Sequence, residues 1–135
     1  MSRRRAMVLI ALLTLLGCRD SVRIYEIPNG YEGWVLVTYD SRCVTSTTSK
    51  NGTEISVKNN GTACATEKPA PKSFYRRFYY VNANGQRVRE LRATGWGRGG
   101  EIWNESSTVD GGEYRFFVGR EDVFKRSYES ATMQK

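Results

Sequence analysis

The chain has 135 residues, a formal net charge of +7 and an aromatic content of 12%; this length suits one domain, and disordered chains usually lack so many aromatic residues. It contains no histidine, which excludes Ser-His-Asp and Cys-His catalytic systems within the chain and limits any zinc site to thiolates and carboxylates. Three arginines lie in a segment that we expect to be removed, and the formal net charge of +4 that then remains gives little reason to expect nucleic-acid binding.

Residues 1–17 have the pattern of a secretion signal. Three arginines at positions 3–5 precede eleven uncharged residues at positions 6–16. That stretch suits the apolar centre of a signal peptide and is too short to cross a bilayer as a helix, which takes about 20 residues. The Leu-Leu-Gly-Cys phrase that ends at Cys18 resembles the cleavage box of bacterial lipoproteins, although Leu16 stands where a small residue is usual. The resemblance implies attachment of lipid to Cys18 and cleavage before it.

A lipid on Cys18 implies a location in the cell envelope, outside the cytoplasm, with the membrane as a partner. Arg19 follows the cysteine directly, where Asp would favour retention at the inner membrane. We therefore expect the outer membrane, facing the periplasm, if the organism has one. The expected organisation is a cleaved signal at 1–17, a lipidated tether at 18–23, a β domain at 24–130 and a frayed tail at 131–135.

The chain contains three cysteines. If Cys18 carries lipid, Cys43 and Cys64 remain as an even pair in an oxidising compartment. A disulfide between them would close a loop of about 21 residues and stabilise the fold by roughly 3 kcal/mol. No Cys-x-x-Cys spacing occurs, so a redox-active pair is not favoured.

In chain order, the first half predicts four strands, at residues 22–27, 33–39, 54–58 and 62–65. The second of these is apolar on both faces, which is typical of a central strand. The remainder of 41–60 is rich in Thr, Ser and Asn and predicts a polar loop.

The second half predicts a hairpin formed by residues 74–81 and 86–93, which flank an Asn-Ala-Asn-Gly turn suited to a positive φ at Gly85. Two further strands are predicted at 101–104 and 113–118, and a helix at 120–130 with acidic residues in its first turn. The fold class predicted is all-β: a small β-sandwich or barrel-like domain of about six to eight strands with one short C-terminal helix.

Several phrases together resemble an uncharacterised bacterial domain, domain of unknown function 6843. The resemblance spans roughly residues 24–128 and departs in the middle, where this chain is rich in Thr and Ser and carries Cys43 and Cys64. It implies an architecture and brings no activity, substrate or site. The matching residues are Ile27, Pro28, Gly30, Tyr31, Gly33, Trp34, Val35, Val37, Tyr39, Tyr79, Tyr80, Val81, Gly85, Arg87, Gly99, Gly100, Ile102, Trp103 and 116–119.

The predicted hairpin concentrates five arginines and five aromatic residues. Such interleaving can bind anionic glycans or lipid headgroups. The alternative, which we favour, is a half-buried hairpin with a solvated arginine face braced by Glu90. A glycine-rich loop at 95–100 follows, and loops on a rigid sheet are common binding places. The predicted partner surface is therefore Arg76, Arg77, Arg87, Arg89, Trp96 and Arg98.

Residues 95–100 also satisfy the G-x-G-x-x-G pattern, but no helix start follows them, as a dinucleotide site requires. We therefore expect no nucleotide, cofactor or metal. Trp34 and Trp103 are predicted to lie in the core. The sequence favours a non-catalytic envelope lipoprotein that binds a protein or polymer partner or serves structurally; the alternatives are an anionic-ligand binder and, less favoured, an enzyme.

Overall fold

The computed structural model describes residues 21–44, 46–49, 52–68, 74–93 and 100–133. These residues form nine strands in two sheets and one helix, which confirms the predicted all-β class. The strands are β1 (Ser21–Pro28), β2 (Gly33–Tyr39), β3 (Ser46–Ser49), β4 (Gly52–Ser56), β5 (Thr62–Ala65), β6 (Phe74–Val81), β7 (Arg87–Leu91), β8 (Ile102–Ser107) and β9 (Glu113–Val118), and the helix is α1 (Glu121–Thr132).

The first sheet has five strands in the order β3-β4-β1-β6-β7. Its central strand, β1, is parallel to both neighbours, so β4, β1 and β6 all begin at the same end of the sheet. Parallel strands need long crossover connections between them. Here the chain forms β2 of the second sheet between β1 and β4, and β5 of the second sheet between β4 and β6. The antiparallel β6–β7 hairpin then forms one edge.

The second sheet has four strands in the order β5-β2-β9-β8. The prediction that β2 is an interior strand is confirmed, because it pairs with β5 on one side and β9 on the other. Val35 and Val37 point into the space between the sheets and are fully buried. Trp34, on the opposite face of β2, lies beneath α1.

Aromatic rings from both sheets form the centre of the sandwich. Tyr25 and Phe78 of the first sheet contact Tyr114 and Phe116 of the second, with ring centroids 5.0–5.6 Å apart. Phe78 and Phe116 meet edge to face, a favoured geometry for aromatic pairs. Full burial of such a side chain contributes roughly 1.5–3 kcal/mol, so these four rings explain why the two sheets stay together.

The helix α1 packs on the outer face of the second sheet. Its Phe124 is fully buried and contacts Trp34, Trp103 and Phe117, which form a second apolar cluster. Trp103 also donates a 2.9 Å hydrogen bond from Nε1 to the carbonyl oxygen of Gly119. The predicted core position of Trp103 is therefore confirmed.

Two local features complete the comparison with the predicted elements. Cys43 and Cys64 form the predicted disulfide, with Cα atoms 5.7 Å apart. The strand β3 lies where the sequence predicted a polar loop, which brings the count to nine rather than six to eight. It is an edge strand of Ser and Thr that pairs only with β4 in the described sheet, and its Thr47 and Thr48 are exposed, so the strand has no run of apolar residues by which the sequence could reveal it.

Candidate functional site

The β6–β7 hairpin carries four of the six residues of the predicted partner surface. Its turn has the predicted geometry: Gly85 has φ +74° and donates a 2.9 Å hydrogen bond to the carbonyl oxygen of Asn82. The Asn82 side chain accepts two further bonds, from the backbone N–H groups of Asn84 and Gln86. The turn is therefore rigid and fixes the register of the hairpin.

Each of the four hairpin arginines in the predicted surface has a carboxylate partner within the domain. Arg77 donates two 3.0 Å bonds to Glu90, the brace that the sequence predicted. The other three reach carboxylates outside the hairpin. These pairs are Arg76–Glu105 at 2.7 Å, Arg87–Glu54 at 3.2 Å and Arg89–Glu101.

Two of these pairings accompany a lowered pKa of the acidic partner, at Glu90 and at Glu101. Hydrogen bonds from the Arg77 guanidinium hold the pKa of Glu90 below its usual range. Burial alone would raise the pKa of Glu101, but hydrogen bonds from the backbone N–H of Arg92 and from Arg89 outweigh burial and lower it. The charge on this face is thus largely compensated, which favours the structural interpretation of the arginines over an open anionic-ligand site.

The outer face of the hairpin also stacks two guanidinium groups on one ring. Arg87 lies 4.5 Å from the ring centroid of Tyr79, and Arg77 lies 5.4 Å from it. Both arginines therefore lie along the sheet and are held there by aromatic and carboxylate contacts together.

A cleft of about 540 Å³ opens at the base of the hairpin, where β6 begins and β7 ends. Its lining contains three arginines and one glutamate. Among the described residues, the guanidinium of Arg92 forms no ion pair, whereas those of Arg76 and Arg77 do. The lining residues are Arg76, Arg77, Phe78, Glu90, Leu91, Arg92 and Ala93.

A second cleft, of about 340 Å³, lies between α1 and the second sheet and is lined in part by Trp34 and Tyr128. Trp34 is half-buried rather than fully buried, which corrects its predicted core position. Its Nε1 donates to Ser127 Oγ at 2.9 Å, and the Arg115 guanidinium lies 5.1 Å from its ring centroid. The helix covers only part of this ring. The pattern of apolar residues in β2 could not reveal how far the helix extends over the sheet.

A buried polar cluster lies between the sheets at the end where β1 begins. Arg23 is 5% exposed and donates from Nη2 to the carbonyl oxygen of Glu67 at 2.7 Å. Tyr114 donates to Glu105, and burial raises the pKa of both Tyr25 and Tyr114 strongly. These phenols stay protonated at neutral pH, so they are unsuited to act as nucleophiles or general bases.

Comparison with known protein families identifies the family of this chain. Residues 19–119 match the family described as "Family of unknown function (DUF6843)", a stretch of about three-quarters of the sequence. The chain belongs to the DUF6843 family. Among curated proteins, no sequence matches it.

A crystal structure of a Bacillus anthracis protein assigned as a lipoprotein is similar to the DUF6843 domain described here. The TM-score is 0.55 and the sequence identity 23%, and the match covers 73% of this chain and 70% of that chain. At this identity the likeness concerns the fold, and it agrees with the two-sheet architecture.

Three of the predicted site residues, Cys18, Trp96 and Arg98, lie outside the described part of the DUF6843 chain, as does most of the 95–100 loop. Within the described part, no group of three or more His, Cys, Asp or Glu residues could hold a metal ion. In the same part, no helix has the length and apolar character needed to cross a membrane.

Proposed function

We propose that this DUF6843 protein is a lipoprotein of the bacterial cell envelope, anchored by lipid on Cys18, whose β-sandwich acts outside the cytoplasm as a non-catalytic binding or structural module. The observation that carries the proposal is the order of three features in the chain: a signal-peptide pattern, then the lipoprotein cleavage box that ends at Cys18, then the first strand of the β domain. An apolar leader ends in Gly17-Cys18, and β1 begins only three residues later, at Ser21. The fold likeness to a protein assigned as a lipoprotein supports it.

Two properties of the domain support an extracytoplasmic, non-catalytic role. The Cys43–Cys64 disulfide suits an oxidising compartment. The chain lacks histidine, its buried tyrosines are held protonated and the hairpin ion pairs hold the carboxylates of Glu90 and Glu101, so several of the groups that usually carry acid–base catalysis are absent or engaged. In an organism with two membranes, Arg19 after the cysteine favours the outer one, facing the periplasm, and the partner is an envelope protein or polymer.

The experiment compares the wild-type chain with Cys18→Ser in membrane fractions. We expect mass spectrometry to find an acylated peptide that begins at Cys18 in the wild type. The variant should accumulate as an unprocessed precursor and should not incorporate labelled palmitate. A matched control, Cys43→Ser with Cys64→Ser, removes the other two cysteines and should still be acylated. A soluble wild-type protein that begins at another residue would contradict the proposal.

A second candidate function is the binding of an anionic glycan or lipid headgroup at the arginine hairpin. One observation favours it: the cleft at the hairpin base holds Arg92, which has no ion pair among the described residues. A guanidinium in such a place can bind a carboxylate or phosphate with two parallel hydrogen bonds.

The test is retention on an immobilised anionic polysaccharide as salt rises. Arg92→Glu should elute at lower salt than Arg126→Glu, which makes the same charge change on the exposed face of α1. If both variants elute at the same salt, only the net charge matters and the cleft is not a binding site.

A further inference from the structure

The sandwich has two distinct ends, and the chain enters at one of them. The parallel strands β4, β1 and β6 all begin at this end, which we call the proximal end. The second sheet is fixed relative to it by the Arg76–Glu105 ion pair and by Arg23, whose guanidinium lies 5.8 Å from the ring centroid of Tyr39. Since Thr38, beside Tyr39, pairs with Glu113, the β8–β9 turn at residues 108–112 lies at the proximal end as well.

The proximal end is also where a lipid on Cys18 would be. Only Arg19 and Asp20 lie between Cys18 and Ser21, the first residue of β1, so three Cα-to-Cα steps join the two residues. A fully extended chain spans at most about 3.6 Å per residue, so the two Cα atoms are within about 11 Å of each other. Such a short tether leaves the domain little freedom to turn its other end toward the bilayer.

The described residues expose apolar side chains at this end. Val109, at the tip of the β8–β9 turn, is fully exposed, and Tyr75, the second residue of β6, is 62% exposed. Apolar and aromatic side chains in such positions are typical of surfaces that enter the headgroup region of a bilayer.

The turn that carries Val109 is closed by hydrogen bonds. The Asp110 carboxylate accepts bonds from the Thr108 hydroxyl at 2.6 Å and from the backbone N–H of Gly112 at 2.9 Å. The acid is therefore engaged within the turn, while Lys68 donates to the Asp110 carbonyl oxygen at 3.3 Å and places a cation beside the exposed valine. An apolar tip next to a lysine matches the layering of acyl chains and phosphates at a membrane surface.

We propose that the proximal end of the sandwich rests on the surface of the membrane that holds the anchor, with Val109 and Tyr75 entering the headgroup boundary and Lys68 facing lipid phosphates. This inference rests on the proposed lipid anchor and adds an orientation to it. The opposite end, with the β6–β7 turn at residues 82–85, then points away from the membrane and is the part open to envelope partners.

The experiment uses the full-length, lipidated protein reconstituted in vesicles of phosphatidylethanolamine and phosphatidylglycerol in equal parts. A trace of phospholipid with a diazirine in its acyl chain is activated by light, and cross-linked residues are identified by mass spectrometry. We expect cross-links in residues 107–112 and at Tyr75, and none in residues 82–86. Val109→Asp should reduce cross-linking of the 107–112 segment about tenfold, the ratio that corresponds to the loss of roughly one buried valine.

The matched control is Val88→Asp, the same substitution at an exposed valine near the opposite end of the sandwich, and it should leave the cross-links as in the wild type. Cross-links concentrated in residues 82–86 would overturn the orientation but not the anchor. The same conclusion would follow if Val109→Asp left the cross-linking yield of residues 107–112 unchanged. A protein that fails to associate with vesicles at all would overturn the anchor, and the orientation with it.

Discussion

Gly30 and Gly61 adopt nearly the same left-handed backbone conformation, with φ +80° and +82°, in very different surroundings. A Cβ on Gly30 would meet no atom within 4 Å. A Cβ on Gly61 would lie 2.5 Å from the carbonyl oxygen of Trp34 and would also collide with the Tyr31 hydroxyl, which donates to that same carbonyl oxygen. The two positions separate the effect of backbone strain from the effect of close packing.

We expect Gly30→Ala to lower the free energy of unfolding by about 1 kcal/mol, the strain of a non-glycine residue in this conformation. Gly61→Ala should lower it by about 3 kcal/mol or more, because overpacking against a backbone atom adds to the same strain. Urea unfolding followed by tryptophan fluorescence measures both. Equal losses in the two variants would show that the Gly61 site relaxes freely.

At the scale of elements, the junction between β7 and β8 joins the edges of the two sheets. The carbonyl oxygen of Arg92 accepts from the backbone N–H groups of Glu101 and Ile102, and Ala93 forms an isolated bridge with Ile102. The Glu101 carboxylate closes the junction by accepting a 2.9 Å bond from the backbone N–H of Arg92 and another from Arg89. One carboxylate therefore links two strands of different sheets.

We expect Glu101→Gln to lower the free energy of unfolding by about 1 kcal/mol at pH 7, the modest value suited to partly exposed charge-assisted bonds. Because the pKa of Glu101 is lower in the folded protein than its ordinary 4.5, its ionised form contributes stability above pH 4.5, and this contribution is lost as pH falls through the folded-state pKa. Wild type and variant should therefore converge in unfolding curves as the pH is lowered from 7 to below 4.5. A difference that stays constant over that range would assign the effect to something other than the charge.

Arg89→Gln is the matched control at this junction. It removes the ion pair with Glu101 but leaves the bond from the Arg92 backbone N–H, so we expect a smaller loss and a weaker pH dependence than for Glu101→Gln. A loss equal to that of Glu101→Gln would mean that the ion pair alone carries the effect.

The sequence predicted β2, β5, β6 and β9 with the bounds that the structure gives. In β2, β6 and β9 the signal is a run of β-branched and aromatic residues limited by turn residues. The sequence missed β3, whose Ser and Thr residues look like loop and form a strand only because β4 offers an open edge. The same limit applies to the arginines of the hairpin. Glu90 was predicted as a partner because it lies across the hairpin itself, whereas Glu54, Glu101 and Glu105 come from distant parts of the chain.

At the scale of the whole molecule, the order of the strands within each sheet could not be predicted from the sequence alone. The strand β1 lies between two parallel neighbours, and its Tyr25 packs across the sandwich against Tyr114 and Phe116, which are about 90 positions away in the sequence. Such long-range contacts choose among many arrangements that local patterns permit equally.

The Cys43–Cys64 disulfide constrains this long-range architecture, since it joins the segment after β2 to β5 across 21 positions. Closing a loop of that length restricts the unfolded chain and stabilises the fold by about 3 kcal/mol. We therefore expect the double variant Cys43→Ser, Cys64→Ser to lose about 3 kcal/mol of unfolding free energy in urea, and a similar loss when the wild-type protein is reduced. Cys18→Ser should keep the wild-type stability, because it removes a cysteine without opening the loop. If reduction leaves the urea midpoint unchanged, the bridge is dispensable for stability, and packing between the sheets alone holds the sandwich together.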